Sequence, residues 1–247
     1  AGAVRLDHAM GLKRLYWIPS GFDARRGGYI RYPLESSLDL LATLSQAARV
    51  IVIGEDLGTV PPGFRQVIEE AGLLGYRVLY FETEENGRFQ PPRAYDPSML
   101  ACVSTHDLPP LAGWWSGHDI ETRERLGKLN ADEAPAAREA RAREKKKLFD
   151  ALAAEGLAGG LIDAPDTLTD DLLVALHVFL ARTPCRLVAI QLEDLLGATE
   201  QVNLPGTDKE HRNWSLKLPL TLEEIADHLL TRRTLAAVAR ERPRASA

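Results

Sequence analysis

The chain has 247 residues, 45% of them hydrophobic and 26% charged, which is enough to bury a substantial core and excludes a disordered chain. With 30 Lys and Arg against 35 Asp and Glu, the formal charge is −5. No basic field is present to hold phosphates, so nucleic acid and anionic membranes are poor partners. No apolar run approaches the ~20 residues of a membrane span, and the only two cysteines, Cys102 and Cys185, read as free thiols suited to a reducing, cytoplasmic compartment.

Short runs rich in β-branched or aromatic residues alternate with segments of helical periodicity. In chain order the expected elements are a strand at residues 3–7, a helix at 34–48, a strand at 49–55 and a helix at 61–71. Strands at 77–82 and 101–107 follow, then helices at 132–155 and 170–182, a strand at 186–194 and a helix at 222–240. Thr59 ahead of Pro61 and Pro62 is an expected helix cap, and Thr221 with Glu224 reads as a capping box. The charged helix at 132–155 reads as a solvated face, residues 153–165 as an Ala/Gly-rich loop, and 241–247 as a frayed tail. Alternation of this kind predicts an α/β fold with a parallel sheet, either barrel or doubly wound.

The first four expected strands all end in an acid: Asp7, Glu55, Glu82 and Asp107. In parallel β/α folds the strand C-termini share one face, and loops leaving it build the active site. Arg5 and Asp7, two apart on a strand, leave the same side and can pair. Clustered carboxylates either hold a metal or run acid/base and nucleophilic chemistry on a neutral substrate. A metal would call for more His or closely spaced Asp ligands than the lone His106-Asp107 pair provides, so no metal is expected.

Arg5-Leu6-Asp7-His8, Ile53-Gly54-Glu55-Asp56-Leu57-Gly58, and Ser104-Thr105-His106-Asp107 resemble, in order, the last three signature segments of the α-amylase superfamily. In wording they are most similar to the bacterial 4-α-glucanotransferases, or amylomaltases, and further matches at Tyr16-Trp17, Gly113-Trp114-Trp115, Val202-Asn203-Leu204-Pro205-Gly206 and Asn213-Trp214 carry the resemblance to about residue 240. The resemblance implies that residues 1–240 are the C-terminal part, about strands 4 to 8, of a (β/α)8 TIM barrel. An earlier Asp-x-x-x-Asn-His segment does not occur, so the upstream half of the barrel is expected to be absent from this chain, and the piece alone to be inactive or poorly folded.

By that resemblance Asp7 is the nucleophile, Glu55 the acid/base, and Asp107 the group that steadies the transition state and holds sugar hydroxyls. Arg5, His106, Tyr16, Trp17 and Asn203 are implied to bind substrate, with packing as the competing role for Tyr16 and Trp17 and a turn for Asn203. Trp114 and Trp115 are expected in the core, and Asp56, next to Glu55, is expected to point away from it. The implied activity is retaining transfer of α-1,4-glucan segments between maltodextrins, with no cofactor because two carboxyl groups supply the proton and covalent chemistry. The alternatives are a retaining α-glucan hydrolase with the same trio and a noncatalytic glucan-binding fragment.

Overall fold

Ile51, Val52 and Ile53 follow one another without polar alternation, the pattern of a strand flanked on both sides rather than lying at a half-wet edge. In the computed structural model, which describes residues 2–243, the chain divides into two units. The first holds residues up to Arg77 together with Asp96–Leu100 and Cys185–Leu187. It opens with β1 (Ala3–Leu6), an antiparallel hairpin of β2 (Arg14–Trp17) and β3 (Gly28–Arg31), the helix α1 (Leu34–Ala48) and then β4 (Ile51–Gly54). β4 returns parallel to β1, with Ala3 opposite Ile51 and Leu6 opposite Gly54. On its other side Ile53 bridges Leu74 in parallel, which brings three successive segments side by side with their C-terminal ends at one edge.

Apolar residues hold this unit together. Ala9, Met10, Leu38, Phe64, Ile68 and Leu73 form a buried cluster beneath the parallel pair, and Phe64 and Ile68 reach it from α2 (Phe64–Glu70). α2 begins later than the proline signal predicts. A residue ahead of proline is disfavoured in the helical region, so Pro61 precedes the helix, accepts from the Phe64 amide, and leaves Gly63 as the cap at φ 75°. Thr59 therefore does not cap it. The hairpin was not expected from the sequence: its strands are four residues each and largely exposed, so no buried stripe announces them.

β5 (Gly75–Val78), β6 (Met99–Cys102) and β7 (Leu187–Ala189) lie in that order in one sheet. All three differ from the expected spans. Residues 79–81 close a 3₁₀ turn, so Glu82 stands beyond the strand rather than at its end. β6 stops at Cys102, five positions before Asp107, where Ser104 turns its hydroxyl onto the Pro109 carbonyl at 2.8 Å. Asp194 belongs to a short helix after β7.

The second unit is mainly helical: α3 (Leu111–Ser116), α4 (His118–Arg125), α5 (Glu133–Ala154), α6 (Asp170–Ala181), α7 (Leu192–Leu195), α8 (Leu222–Asp227) and α9 (Leu229–Glu241). α6 is apolar nearly all round and sits in the core, with Leu176, Phe179 and Leu180 fully buried and α9 packed along it. The expected single helix at 222–240 is two, interrupted at His228 by an extended residue that no local signal marks, while the Thr221–Glu224 capping box forms as predicted. Trp114 and Trp115 are both buried. Trp114 stacks on Tyr80 with ring centroids 5.0 Å apart, and the Trp115 indole N–H donates to the Pro165 carbonyl. Both cysteines are buried thiols outside any disulfide, as read from the sequence. Of the tail expected at 241–247, Glu241 ends α9 and Arg242 donates to the carbonyls of Ala181 and Thr183, whereas 244–247 lie outside the described residues.

One buried pair in this unit bears on how stability changes with pH. His177 sits on α6 with no exposed surface, and its Nδ1 must donate to the Leu173 carbonyl, 2.9 Å away, which leaves Nε2 as an acceptor. That lone pair faces Asp194 Oδ2 at 3.9 Å, and neither atom has another partner. No hydrogen bond spans that distance, so nothing there offsets burial, which pushes the Asp194 carboxyl up to about 7 against the pull of the Leu111 amide that donates to Oδ1. Below its unfolded value of 3.8 the carboxyl is protonated in both states. As pH rises from there through 7 the unfolded chain releases the proton first, so this group's contribution to stability falls by about 1.4 kcal/mol per pH unit. His177, pushed down by burial, has the opposite slope and is common to both proteins compared. Urea unfolding from pH 4 to 7 should show wild type losing stability relative to Asp194→Asn; parallel profiles would refute the proton's assignment.

Candidate active site

The C-terminal end of β4 delivers Glu55. The strand's ladder continues through the Glu55 amide to the Leu6 carbonyl at 2.9 Å, and the Ala9 amide returns to the Glu55 carbonyl at 2.9 Å, so the residue is fixed by its backbone against the end of β1. Its side chain is buried and its two oxygens are separately held: Oε2 accepts from the His8 amide at 2.8 Å and Oε1 from the Leu57 amide at 2.6 Å. His8 makes its bond from the left-handed region at φ 47°, a conformation that costs a non-glycine residue roughly 1–2 kcal/mol and so marks a site held by its surroundings.

Asp7, the residue before His8, is exposed and paired with Arg5, whose Nη1 lies 2.7 Å from Oδ1. Arg5 packs over the Tyr76 ring, 4.8 Å from its centroid. Burial works against its charge, but the hydrogen bond to Asp7 and the nearby Tyr76, Asp7 and Glu55 outweigh it and keep the guanidinium charged. Beside an open carboxylate, then, stands a fixed cation, and the amide of the next residue, His8, holds the buried Glu55 carboxyl in a rigid orientation.

Asp56 points away from Glu55, as its position predicts, and is fully buried. Its Oδ1 accepts from the Tyr76 amide at 2.9 Å; its Oδ2 pairs with Arg65 at 2.6 Å and Arg77 at 3.2 Å. This carboxylate therefore clamps the end of β4 to the start of β5, directly behind Glu55. Tyr16 and Trp17 lie on β2 rather than in a loop, and both are exposed. The Tyr16 hydroxyl donates to the Ala24 carbonyl and the Trp17 indole to the Tyr32 hydroxyl, so each presents its ring on a tethered edge rather than in the core.

In the second unit the expected residues His106, Asp107 and Asn203 meet. Asn203 Nδ2 donates to Asp107 Oδ1 at 2.5 Å, His106 Nε2 lies 3.4 Å from Oδ2, and the Asn203 amide donates to the His106 carbonyl at 3.1 Å. Sequence reading missed Gln201 here. Its Nδ-equivalent amide nitrogen, Nε2, donates to the carbonyls of both Asp107 and Asn203 at 2.7 Å and ties the two segments together. Trp214, held at φ 58° with its amide donating to the Val202 carbonyl, brings its ring to 5.2 Å from His106. The Gln-x-Asn alternation at 201–203 was the available signal for Gln201. Among the described residues no group of three or more His, Cys, Asp or Glu is arranged to hold a metal, and no helix is long and apolar enough to cross a membrane.

A family model described as 4-alpha-glucanotransferase matches residues 1–221. The chain is similar to a 4-alpha-glucanotransferase of Mycobacterium tuberculosis, at 37% identity over 235 residues, covering 91% of this chain and 32% of the relative. Similarity to the 4-alpha-glucanotransferase of Haemophilus influenzae is also 37%, over 228 residues, with the same coverage of 91% and 32%. The crystal structure of amylomaltase from Corynebacterium glutamicum matches with a TM-score of 0.89 and 31% identity, covering 96% of this chain and 36% of that one, which shows an α/β fold of the same kind. The chain thus spans about a third of the length of the relatives it matches.

Proposed function

The chain belongs to the 4-alpha-glucanotransferase family, and on that premise we propose that it takes part in retaining transfer of α-1,4-glucan segments between maltodextrins, with Asp7 as nucleophile, Glu55 as acid/base and Asp107 steadying the transition state. The observation that carries the reading is the contrast between two neighbouring acids: Asp7 is open and ion-paired, while Glu55 is buried with both oxygens oriented by backbone amides. Retaining chemistry needs that division of labour.

Asp7 attacks the anomeric carbon from below as the bond to the departing O4 breaks, and Glu55 gives its proton to that oxygen. A β-linked glycosyl ester on Asp7 results. The 4-hydroxyl of an incoming sugar then attacks the same carbon, gives its proton to Glu55, and frees Asp7, so the product keeps the α configuration. Arg5 holds Asp7 in place. Asp107, set by Asn203 and His106, accepts hydrogen bonds from the donor sugar's hydroxyls, and Tyr16 and Trp17 offer flat faces for pyranose rings.

The three segments paired in parallel at β1, β4 and Leu74 support placing them within the C-terminal part, about strands 4 to 8, of a (β/α)8 barrel. Two buried cysteines outside any disulfide fit a reducing compartment such as the cytoplasm. With maltotriose as sole substrate the expected products are glucose and a ladder of longer maltodextrins. Only shorter sugars would replace transfer with hydrolysis.

A further inference from the structure

A cavity of about 490 Å³ in the second unit, within the usual range for small-ligand pockets of about 300–1,000 Å³, contains none of the residues assigned above. One wall is a rigid turn: the Glu84 amide donates to the Arg88 carbonyl, the Gly87 amide to the Glu84 carbonyl and the Arg88 amide to the Asn86 side chain, each at 2.8 Å. Gly87 is at φ 73°, a conformation that favours glycine, and the Lys147 ammonium lies close over it, 2.8 Å from where a Cβ would stand.

The other wall is the end of α5. Lys147, Ala151 and Glu155 follow at four-residue steps, with Asp150 and Ala154 one row over, so a single helix face lines the space and its two alanines keep it open. Among the described residues neither Lys147 Nζ nor the Arg88 guanidinium has an acceptor. The carboxylates are weakly engaged: Asp150 lies 3.6 Å from Lys146 and Glu155 3.7 Å from Arg93, both beyond hydrogen-bond length. Phe89 and Pro91 add apolar surface.

Donors without acceptors and weakly engaged carboxylates, interleaved around an apolar floor, do not favour a ligand of strong net charge. They match a neutral ring bearing hydroxyls, each of which donates and accepts while the ring's C–H face meets the floor. We propose that this cavity is a second, noncatalytic site for a short α-glucan. That ligand class rests on the reading of the chain as glucan-acting; the cavity itself does not.

Hydrogen exchange of the full chain, with maltotriose and in parallel with inorganic phosphate, tests it. Maltotriose should slow exchange at residues 84–91 and 147–155, and Ala154→Trp, at an exposed position, should abolish that effect by filling the cavity. Lys147→Ala, which keeps the fold, should need about tenfold more sugar for the same protection, the loss expected from one charged donor. Unchanged protection in Ala154→Trp, protection by phosphate alone, or no protection at 84–91 while residues near Glu55 slow, each overturns the proposal. The last of these leaves the catalytic reading standing; protection at the cavity without any transfer from maltotriose does the reverse.

Discussion

Replacing Asp7 by Asn should lower maltodextrin transfer by at least about 10⁴-fold, because the covalent route ends without its nucleophile. Glu55→Gln should cost about 10²–10⁴-fold with ordinary sugars, the range for losing a general acid and base. The two variants separate when the leaving group needs no proton. A glycosyl fluoride should restore the first half-reaction to Glu55→Gln and do nothing for Asp7→Asn. Both replacements are close in shape, and Gln at 55 keeps an oxygen for one of the two amides that hold it, from His8 and Leu57. Circular dichroism should therefore stay near wild type for both, with the unfolding midpoint lowered in Glu55→Gln by the one amide left without an acceptor. Activity surviving either change at a near-normal rate would remove that residue from the mechanism.

The largest effect on stability is expected at Asp56→Ala. The wild-type carboxylate has no exposure and balances Arg65 and Arg77 while accepting the Tyr76 amide. Deleting it removes a fully buried partner of Arg77, whose side chain is only 16% exposed, and strands the buried Tyr76 amide. Breaking a buried pair from one side typically costs about 3–5 kcal/mol, far more than the pair adds over an apolar replacement. Arg65, with half its side chain exposed, relaxes into water and contributes less of that loss. Asp56→Asn retains an oxygen for Tyr76 and should fall between the two. Equilibrium urea unfolding reads the order directly, and an Asp56→Ala protein as stable as wild type would show that β4 and β5 need no clamp behind Glu55.

How much of this was written in the sequence depends on the range of the interaction. Long helices such as α1, α5 and α6 were legible because helix-forming composition runs over many residues without an interior breaker. So were the short motifs around Asp7, Glu55 and Asp107, whose residue types are unusual together. Glu82 looked equivalent to the other strand-end acids, yet a 3₁₀ turn at Leu79–Phe81 shortens the strand, and nothing local distinguishes that turn from another pair of strand residues. The clamp role of Asp56 depends on Arg77 and Tyr76, about twenty positions away, and the bracing by Gln201 depends on Asp107, farther still. Such partners become visible only when the chain is folded.

Mass spectrometry of the Glu55→Gln protein after reaction with an α-maltosyl fluoride is the most direct test of the catalytic reading. Fluoride departs without the missing proton, and removal of the sugar is slow without the missing base, so a glycosyl adduct should accumulate and map to Asp7. An adduct on any other residue, or rapid turnover with no adduct at all, would contradict the account.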